Sequence, residues 1–212
     1  MLRFWPLTTF YEGVMRWFLV SFSAVWLASC GGGGGGSGGA GIDPRLARLD
    51  TYAAQQLRVL GDPAQGVAGP PLTPVEMAPA MGSYQLSGFA TIRVEDPANP
   101  TVLYGDAVLT VDYDLDATTG TLDRFFGADG GAVVADYVGA IALTGAGVAQ
   151  DGALSYDGTL TGSGSTLALS GSLDTHLLGD PFSAVAAADL AGQITVDSDV
   201  YDGTLVVVVE QD

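Results

Sequence analysis

The 212-residue chain has no lysine, a single cysteine and a single histidine. Cys30 and His176 alone do not provide the ligands of a transition-metal site. All seven basic residues are arginines, against 24 acidic residues, so the formal net charge is −17. A surface this acidic repels phosphate backbones. We therefore expect no nucleic-acid partner and no metal cofactor.

Catalytic signatures are also scarce. The phrase Gly162-Ser163-Gly164-Ser165 is turn-like and lacks the spacing of a nucleophile elbow. Asp174-Thr175-His176 contains acid, hydroxyl and imidazole groups, but neighbours on a strand point to opposite faces. We expect that the chain is not an enzyme and that it binds no cofactor.

The chain also lacks an apolar run long enough to span a bilayer as a helix. Its longest run near the N-terminus covers 10 residues from Trp17 to Trp26, directly after Arg16. A basic residue, a short apolar core and then small residues are typical of a secretory signal. Met15 would give this signal a compact positive start, so translation initiation at Met15 is an open alternative.

The apolar run ends in Leu27-Ala28-Ser29-Cys30, which resembles the bacterial lipoprotein signal. The resemblance implies cleavage after Ser29 and attachment of fatty acyl chains, such as palmitate, through the sulfur of Cys30. A lone cysteine in an exported chain cannot form an internal disulfide, which favours this interpretation. The alternative is an unmodified cysteine beside an ordinary cleavage site. Gly31 at the next position resembles lipoproteins sorted to the outer membrane, so we expect a lipid-anchored protein there, either surface-exposed or facing the periplasm.

Three short segments follow the predicted signal peptide of residues 1–29. Residues 30–42 are almost all glycine after the cysteine, which predicts a flexible tether. Residues 43–61 predict one helix: Asp43 is a candidate N-cap, Pro44 suits the first turn and Gly61 a C-terminal stop. Residues 62–81 contain five prolines and predict an extended spacer. The apolar stripe of this helix comprises Leu46, Leu49, Ala53, Leu57 and Leu60, and we expect it to pack on the domain, with a partner or the membrane as the alternatives.

Residues 82–212 alternate polar and apolar side chains with period two, which predicts strands. A short phrase recurs along this region: a leucine, tyrosine or threonine, then a central glycine two residues later, then an apolar residue two residues after that. Its eight copies are Leu86 to Ala90, Leu103 to Ala107, Thr118 to Leu122, Tyr137 to Ile141, Tyr156 to Leu160, Leu169 to Leu173, Leu190 to Ile194 and Tyr201 to Leu205.

Eight copies separated by turn-rich stretches predict an all-β fold, an eight-stranded antiparallel up-and-down barrel closed between the last strand and the first. The same alternation would suit a barrel inserted in an outer membrane with its apolar face toward lipid. Glycine at the centre of nearly every lipid-facing strand would be unusual, and a lipid anchor would then be redundant. We therefore expect a barrel outside the bilayer and keep membrane insertion as the alternative.

Several stretches resemble the transferrin-binding-protein-like β-barrel domain of bacterial surface lipoproteins. They are residues 72–79 (LTPVEMAP) with 82–90 (GSYQLSGFA), and 105–113 (GDAVLTVDY) with 119–122 (TGTL). The resemblance implies an eight-stranded barrel carried by a lipoprotein that captures host iron carriers, haem-linked proteins or complement regulators. On this basis we expect a surface binding module for a protein, a solute or an iron source. The alternative is a structural envelope lipoprotein with no soluble ligand.

Two groups of residues are candidates for a site on the barrel. Asp112, Asp114 and Asp116, followed by Asp123, imitate part of a calcium loop, although Ala117 replaces its central glycine. Alternating acids on an outward strand face are equally explained by solvation. An aromatic patch at a barrel end is the second candidate, formed by Tyr104, Tyr113, Phe125, Phe126 and Phe182, with core packing as its alternative.

Overall fold

The computed structural model describes residues 43–61, 81–129, 132–146, 151–179 and 181–211. The predicted signal peptide, its cleavage residues Leu27, Ala28 and Ser29, the predicted lipidation site Cys30, the predicted tether and nearly all of the predicted spacer lie outside the described residues.

The described chain forms one helix and eight strands. Helix α1 spans Pro44–Leu60, and no helix of the described chain is long and apolar enough to cross a membrane. The strands are β1 (Ser83–Val94), β2 (Thr101–Asp112), β3 (Ala117–Asp129), β4 (Ala132–Ala146), β5 (Asp151–Gly162), β6 (Ser165–Leu178), β7 (Ala184–Val196) and β8 (Asp199–Gln211).

The eight strands close into a barrel in chain order, each antiparallel to its neighbours. β8 pairs with β1 over a register that includes Phe89 opposite Val208 and Ala90 opposite Val207. The predicted closed eight-stranded barrel is therefore confirmed, and each glycine phrase lies within one strand, in order. We call the barrel end where β1 begins and β8 ends the terminal rim, and the opposite end the loop rim.

Alternation along each strand sends one set of apolar side chains into the barrel, where they form a continuous core. In β1, Leu86, Ala90 and Ile92 are fully buried in this core, and in β5 the core residues are Leu154, Tyr156 and Leu160. Small barrels are filled by their own side chains, so the interior supplies most of the apolar burial that stabilises the fold.

A β-bulge in β3 separates two adjacent phenylalanines. Between the pairs Tyr104–Phe126 and Asp106–Asp123, β3 carries one more residue than β2. Arg124 lies in this bulge with a φ of 52°, in the left-handed region that few non-glycine residues adopt. The extra residue lets Phe125 enter the core while Phe126 packs on the outside of the barrel.

Helix α1 begins as the sequence predicts. The Asp43 side chain accepts a hydrogen bond from the backbone N–H of Arg45, and Pro44 occupies the first turn. The hydrogen bonds from Arg45 hold the pKa of Asp43 down to about 2. An ionised cap at this end also interacts favourably with the helix dipole.

The face that α1 buries differs in part from the predicted stripe. The buried residues are Leu49, Tyr52, Gln55, Gln56 and Val59, while Leu57 is 44% exposed. The stripe was wrong at Leu57 because it counted only aliphatic residues. Tyr52 and two glutamines instead occupy the buried face, and the polar ends of Tyr52 and Gln55 bind Asp106 and Ser87 of the barrel.

Substitution of Gly105 by Ala should destabilise the barrel. A Cβ at this position would lie 2.6 Å from the Phe125 ring and 2.8 Å from the Asp123 carbonyl oxygen. Overpacking of this kind costs about 1 to 3 kcal/mol. Urea unfolding should show this loss, whereas the exposed control Ala140→Ser should change the free energy of unfolding by less than about 0.5 kcal/mol. A Gly105→Ala protein as stable as wild type would refute the close packing of Phe125 on β2.

Candidate functional site

The outside of the barrel carries an apolar patch that lies beneath α1. We call it the helix-covered face and define it by Phe89, Tyr104, Phe126, Val206 and Val208, which come from β1, β2, β3 and β8. All five are buried in one cluster with helix residues Leu49, Tyr52 and Val59. The barrel therefore has a second hydrophobic cluster on its outer surface.

Aromatic contacts fix the centre of this cluster. The ring of Tyr52 stacks on Phe89 with centroids 5.1 Å apart and an interplanar angle of 21°. The guanidinium of Arg48 lies 5.1 Å from the centroid of the Phe126 ring. Stacked rings and a cation over an aromatic face are both favourable arrangements. One turn of α1 is thereby positioned over β1 and β3.

Asp106 of β2 gathers polar groups from the helix and from β3. Its carboxylate accepts hydrogen bonds from Arg48 and from the Tyr52 hydroxyl, and it forms an ion pair with Arg124. The Asp106 side chain is only 16% exposed, so these partners compensate for its partial desolvation. Burial and the adjacent carboxylate raise the pKa of Tyr52, which keeps its phenol neutral as a donor.

Further polar contacts lie along the length of α1. Arg45 near its start pairs with Asp136 of β4, and Arg58 near its end pairs with Glu210 of β8. Between them, the Gln55 Nε2 donates to the Ser87 carbonyl oxygen of β1 at 2.8 Å. Since Asp136 lies near the start of β4 and Glu210 near the end of β8, α1 runs from the loop-rim side toward the terminal rim.

Arg48, Tyr52 and Asp106 were not among the residues predicted for a site. One signal was available: three of the seven arginines lie within Pro44–Leu60, in a chain that is otherwise strongly acidic. A basic, amphipathic helix in front of an acidic domain indicates charge complementarity between the two. Which carboxylates pair with these arginines could not be predicted, because that depends on the register of the barrel strands.

Inside the barrel, a buried hydroxyl meets a carboxylate. The Tyr156 Oη donates to the Asp189 Oδ2 at 2.8 Å, and Asp189 lies at a bulge in β7 where the register with β8 shifts. Burial, together with this hydrogen bond, raises the pKa of Tyr156. The ring also lies close to Gly171 of the adjacent strand, where any Cβ would meet its hydroxyl at 2.6 Å.

The predicted aromatic patch is correct only in part. Tyr113 and Phe182 do meet at the terminal rim, together with Tyr84, in edge-to-face contacts with centroids 5.3 to 6.4 Å apart. Phe125 instead lies in the barrel core, and Tyr104 and Phe126 lie beneath α1. The prediction did not account for the β3 bulge or for the side of each strand that the helix covers.

The aspartates considered for calcium build a turn between β2 and β3. Asp112 Oδ1 accepts from the backbone N–H of Asp114 at 3.0 Å and of Leu115 at 2.9 Å, while Asp114 Oδ1 accepts from the Gly82 N–H at 3.1 Å. Asp116 has a φ of 50°, as the turn requires. Across the residues that the structure describes, no group of three or more His, Cys, Asp or Glu side chains is arranged to hold a metal ion.

The serine and the Asp-Thr-His triplet considered for catalysis have structural positions in and near β5 and β6. Ser163 lies in the turn between the two strands, with a φ of 53°. On β6, Asp174 is exposed and Thr175 is buried, where its hydroxyl donates to the Gly152 carbonyl oxygen at 2.7 Å. His176 is half-buried and pairs in register with Ala186. The three neighbours alternate in direction along the strand and do not converge on one point.

Comparison with known proteins found no matching family model, no similar curated protein and no similar solved structure.

Replacing Tyr156 by Phe should destabilise the folded chain by about 1 to 3 kcal/mol, the usual cost of leaving a buried acceptor without its donor. The reason is that the Asp189 carboxylate would lose the hydrogen bond that the Tyr156 hydroxyl donates. Urea denaturation measures the change, and Tyr201→Phe near the barrel surface serves as the control, with an expected effect below about 0.5 kcal/mol. Equal stability of the Tyr156→Phe protein and wild type would contradict this role.

Tyr113 should titrate later than an ordinary tyrosine. Burial raises its pKa to about 12, and the neighbouring Tyr84 acts in the same direction. Because the folded chain favours the neutral phenol, Tyr113 contributes stability that is fully present below a pH of about 10 and is lost as the pH rises through about 12. Phenolate absorbance recorded against pH should lose one late-titrating group in Tyr113→Phe. Loss of a group that titrates near the ordinary value would show that Tyr113 is not desolvated.

Proposed function

We propose that this protein is a lipoprotein, anchored in the outer membrane through Cys30, that displays its barrel as a binding module for a protein, a solute or an iron source. The observation that carries the proposal is the phrase Leu27-Ala28-Ser29-Cys30 at the end of a short apolar segment. It precedes a closed eight-stranded barrel on the same chain. Modification of the cysteine with two or three acyl chains gives stable membrane attachment without a spanning segment.

The direction of the side chains supports a barrel that is held outside the bilayer. A membrane barrel presents an apolar band to lipid, whereas the larger apolar cluster of this barrel fills its interior. On β5 the exposed outward residues include Ser155, Asp157, Thr159 and Thr161. Burial of these polar groups in hydrocarbon would be unfavourable. We therefore favour anchoring by lipid over insertion of the strands.

Because apolar side chains fill the interior, a ligand would bind on the outer surface or at the rims. At the terminal rim, Met81 is 70% exposed and Leu115 is 76% exposed, beside the aromatic cluster of Tyr84, Tyr113 and Phe182. Exposed apolar groups that lie together are common at interaction sites. Capture experiments with the processed chain should include iron carriers and haem, and recovery of a bound ligand would support the binding module. Repeated failure would favour a structural envelope lipoprotein.

Substitution of Cys30 by Ser should abolish lipid attachment and release the protein from the membrane. Serine provides no thiol to accept the lipid, so the acyl mass on the N-terminal residue should be lost and the protein should move to the soluble fraction. Mass spectrometry of the N-terminus, combined with protease shaving of intact host cells, measures attachment and exposure together. The replacement Ser29→Ala, which keeps a small residue before the cysteine, serves as the control. An unmodified thiol at position 30 in the native host would overturn the proposal.

A further inference from the structure

Helix α1 lies on the barrel without being part of its hydrogen-bonded wall. Every strand of the barrel pairs with two other strands, because β1 also pairs with β8. The contacts that the structure shows between α1 and the barrel are made by side chains, including the bond from Gln55 to the backbone of β1. Departure of α1 would therefore leave the strand ladders intact.

The polar contacts that hold α1 are of a kind that salt weakens. In the ion pair of Arg45 with Asp136 the aspartate is 63% exposed, and in that of Arg58 with Glu210 the arginine is 58% exposed. Exposed pairs of this type contribute little individually and are screened at high ionic strength. Only the pair of Arg48 with Asp106 is largely shielded from solvent.

The surface beneath α1 has the composition of a helix-binding site. Phe89, Phe126 and Val208 of the helix-covered face are fully buried in the cluster that they form with Leu49, Tyr52 and Val59 of α1. Asp106, Asp136 and Glu210 lie around this apolar patch and bind arginines. An apolar patch rimmed by acids fits the apolar side of a basic amphipathic helix.

We propose that the helix-covered face is a binding site for a basic amphipathic helix, that α1 occupies it within the chain, and that a partner helix of the same chemistry displaces α1. The arginines of such a partner would bind Asp106, Asp136 and Glu210, and its aromatic or aliphatic residues would pack on Phe89 and Phe126. The inference extends the proposed binding function by naming one surface and one partner class. It does not depend on lipid attachment.

The proposal can be tested with a labelled peptide that has the sequence of residues 43–61. The peptide is titrated onto the chain that begins at residue 30, with Cys30 replaced by Ser so that no lipid is attached. The linked α1 competes at an effective concentration on the order of mM, so wild type should bind the peptide weakly. The chain carrying Arg48→Gln and Tyr52→Ala in its own α1 should bind the wild-type peptide at least about tenfold more tightly, since its competitor is weakened while the barrel surface is unchanged. Fluorescence anisotropy gives the affinities, and circular dichroism reports the fold of each chain.

A second pair of variants makes the test specific. Adding Asp106→Asn to the Arg48→Gln, Tyr52→Ala chain should weaken peptide binding again, because the peptide's Arg48 loses its carboxylate. Raising the salt from about 0.05 M to about 0.5 M should also weaken it, through screening of the exposed pairs. Arg93→Gln is the control, because it removes an arginine that pairs with Glu95 and not with α1. Its affinity for the peptide should equal that of wild type. A peptide of the same composition in scrambled order should not bind.

Two results would overturn the proposal: a folded chain with weakened α1 that binds the peptide no better than wild type, or equal binding of the scrambled peptide. If Tyr52→Ala prevents folding, the surface variants Arg45→Gln and Arg58→Gln replace it, and the same increase in affinity is expected. Because the tested chain carries no lipid, failure here would leave anchoring at Cys30 untouched. Absence of lipid in the host would likewise leave the peptide result standing.

Discussion

The pairing of β8 with β1 is the constraint on which the rest of the structure depends. An open eight-stranded sheet would leave two unpaired edges and only one covered face. Closure satisfies the backbone groups of both edge strands, with Ala90 opposite Val207 at the seam, and encloses the inward side chains of all eight strands. Because that interior is filled with apolar residues, the barrel is a packed core and not a container. A ligand of the proposed binding module would therefore contact the outside of the wall or the rims.

Closure also explains why α1 can be added to the barrel as a separate element. The valine run at Val206–Val209 does not alternate between polar and apolar residues, because both faces of the strand are buried here. Val207 and Val209 lie in the core, while Val206 and Val208 lie under the helix. A strand buried on both faces carries a continuous apolar run. The helix-covered face is thus encoded in the strands as well as in α1. It is apolar, whereas the outer face of β5 carries small polar residues.

The repeated glycine phrase and the period-two alternation allowed the sequence to predict the strand number, the order and the closure, because both are local patterns. The helix bounds also followed from local signals at Asp43, Pro44 and Gly61. The outer contacts could not be predicted, since they depend on which strands α1 crosses. The bulge at Arg124 places Phe125 in the core and Phe126 beneath α1, whereas both were predicted for one patch at a barrel end, and no local pattern marks such an insertion. Cys30 remains a prediction from the sequence, because it lies outside the described residues.

Electrostatics connects the acidic barrel with the basic helix. Each arginine of α1 pairs with a different barrel carboxylate along the helix-covered face, and Asp106 is the least exposed of these carboxylates. A strongly negative surface keeps the domain soluble and repels polyanions. The same charge makes any exposed apolar patch selective for a cationic ligand, because an acidic competitor meets like charge at the rim. The acidic barrel therefore favours a basic helix on its apolar patch, and α1 is such a helix within the same chain.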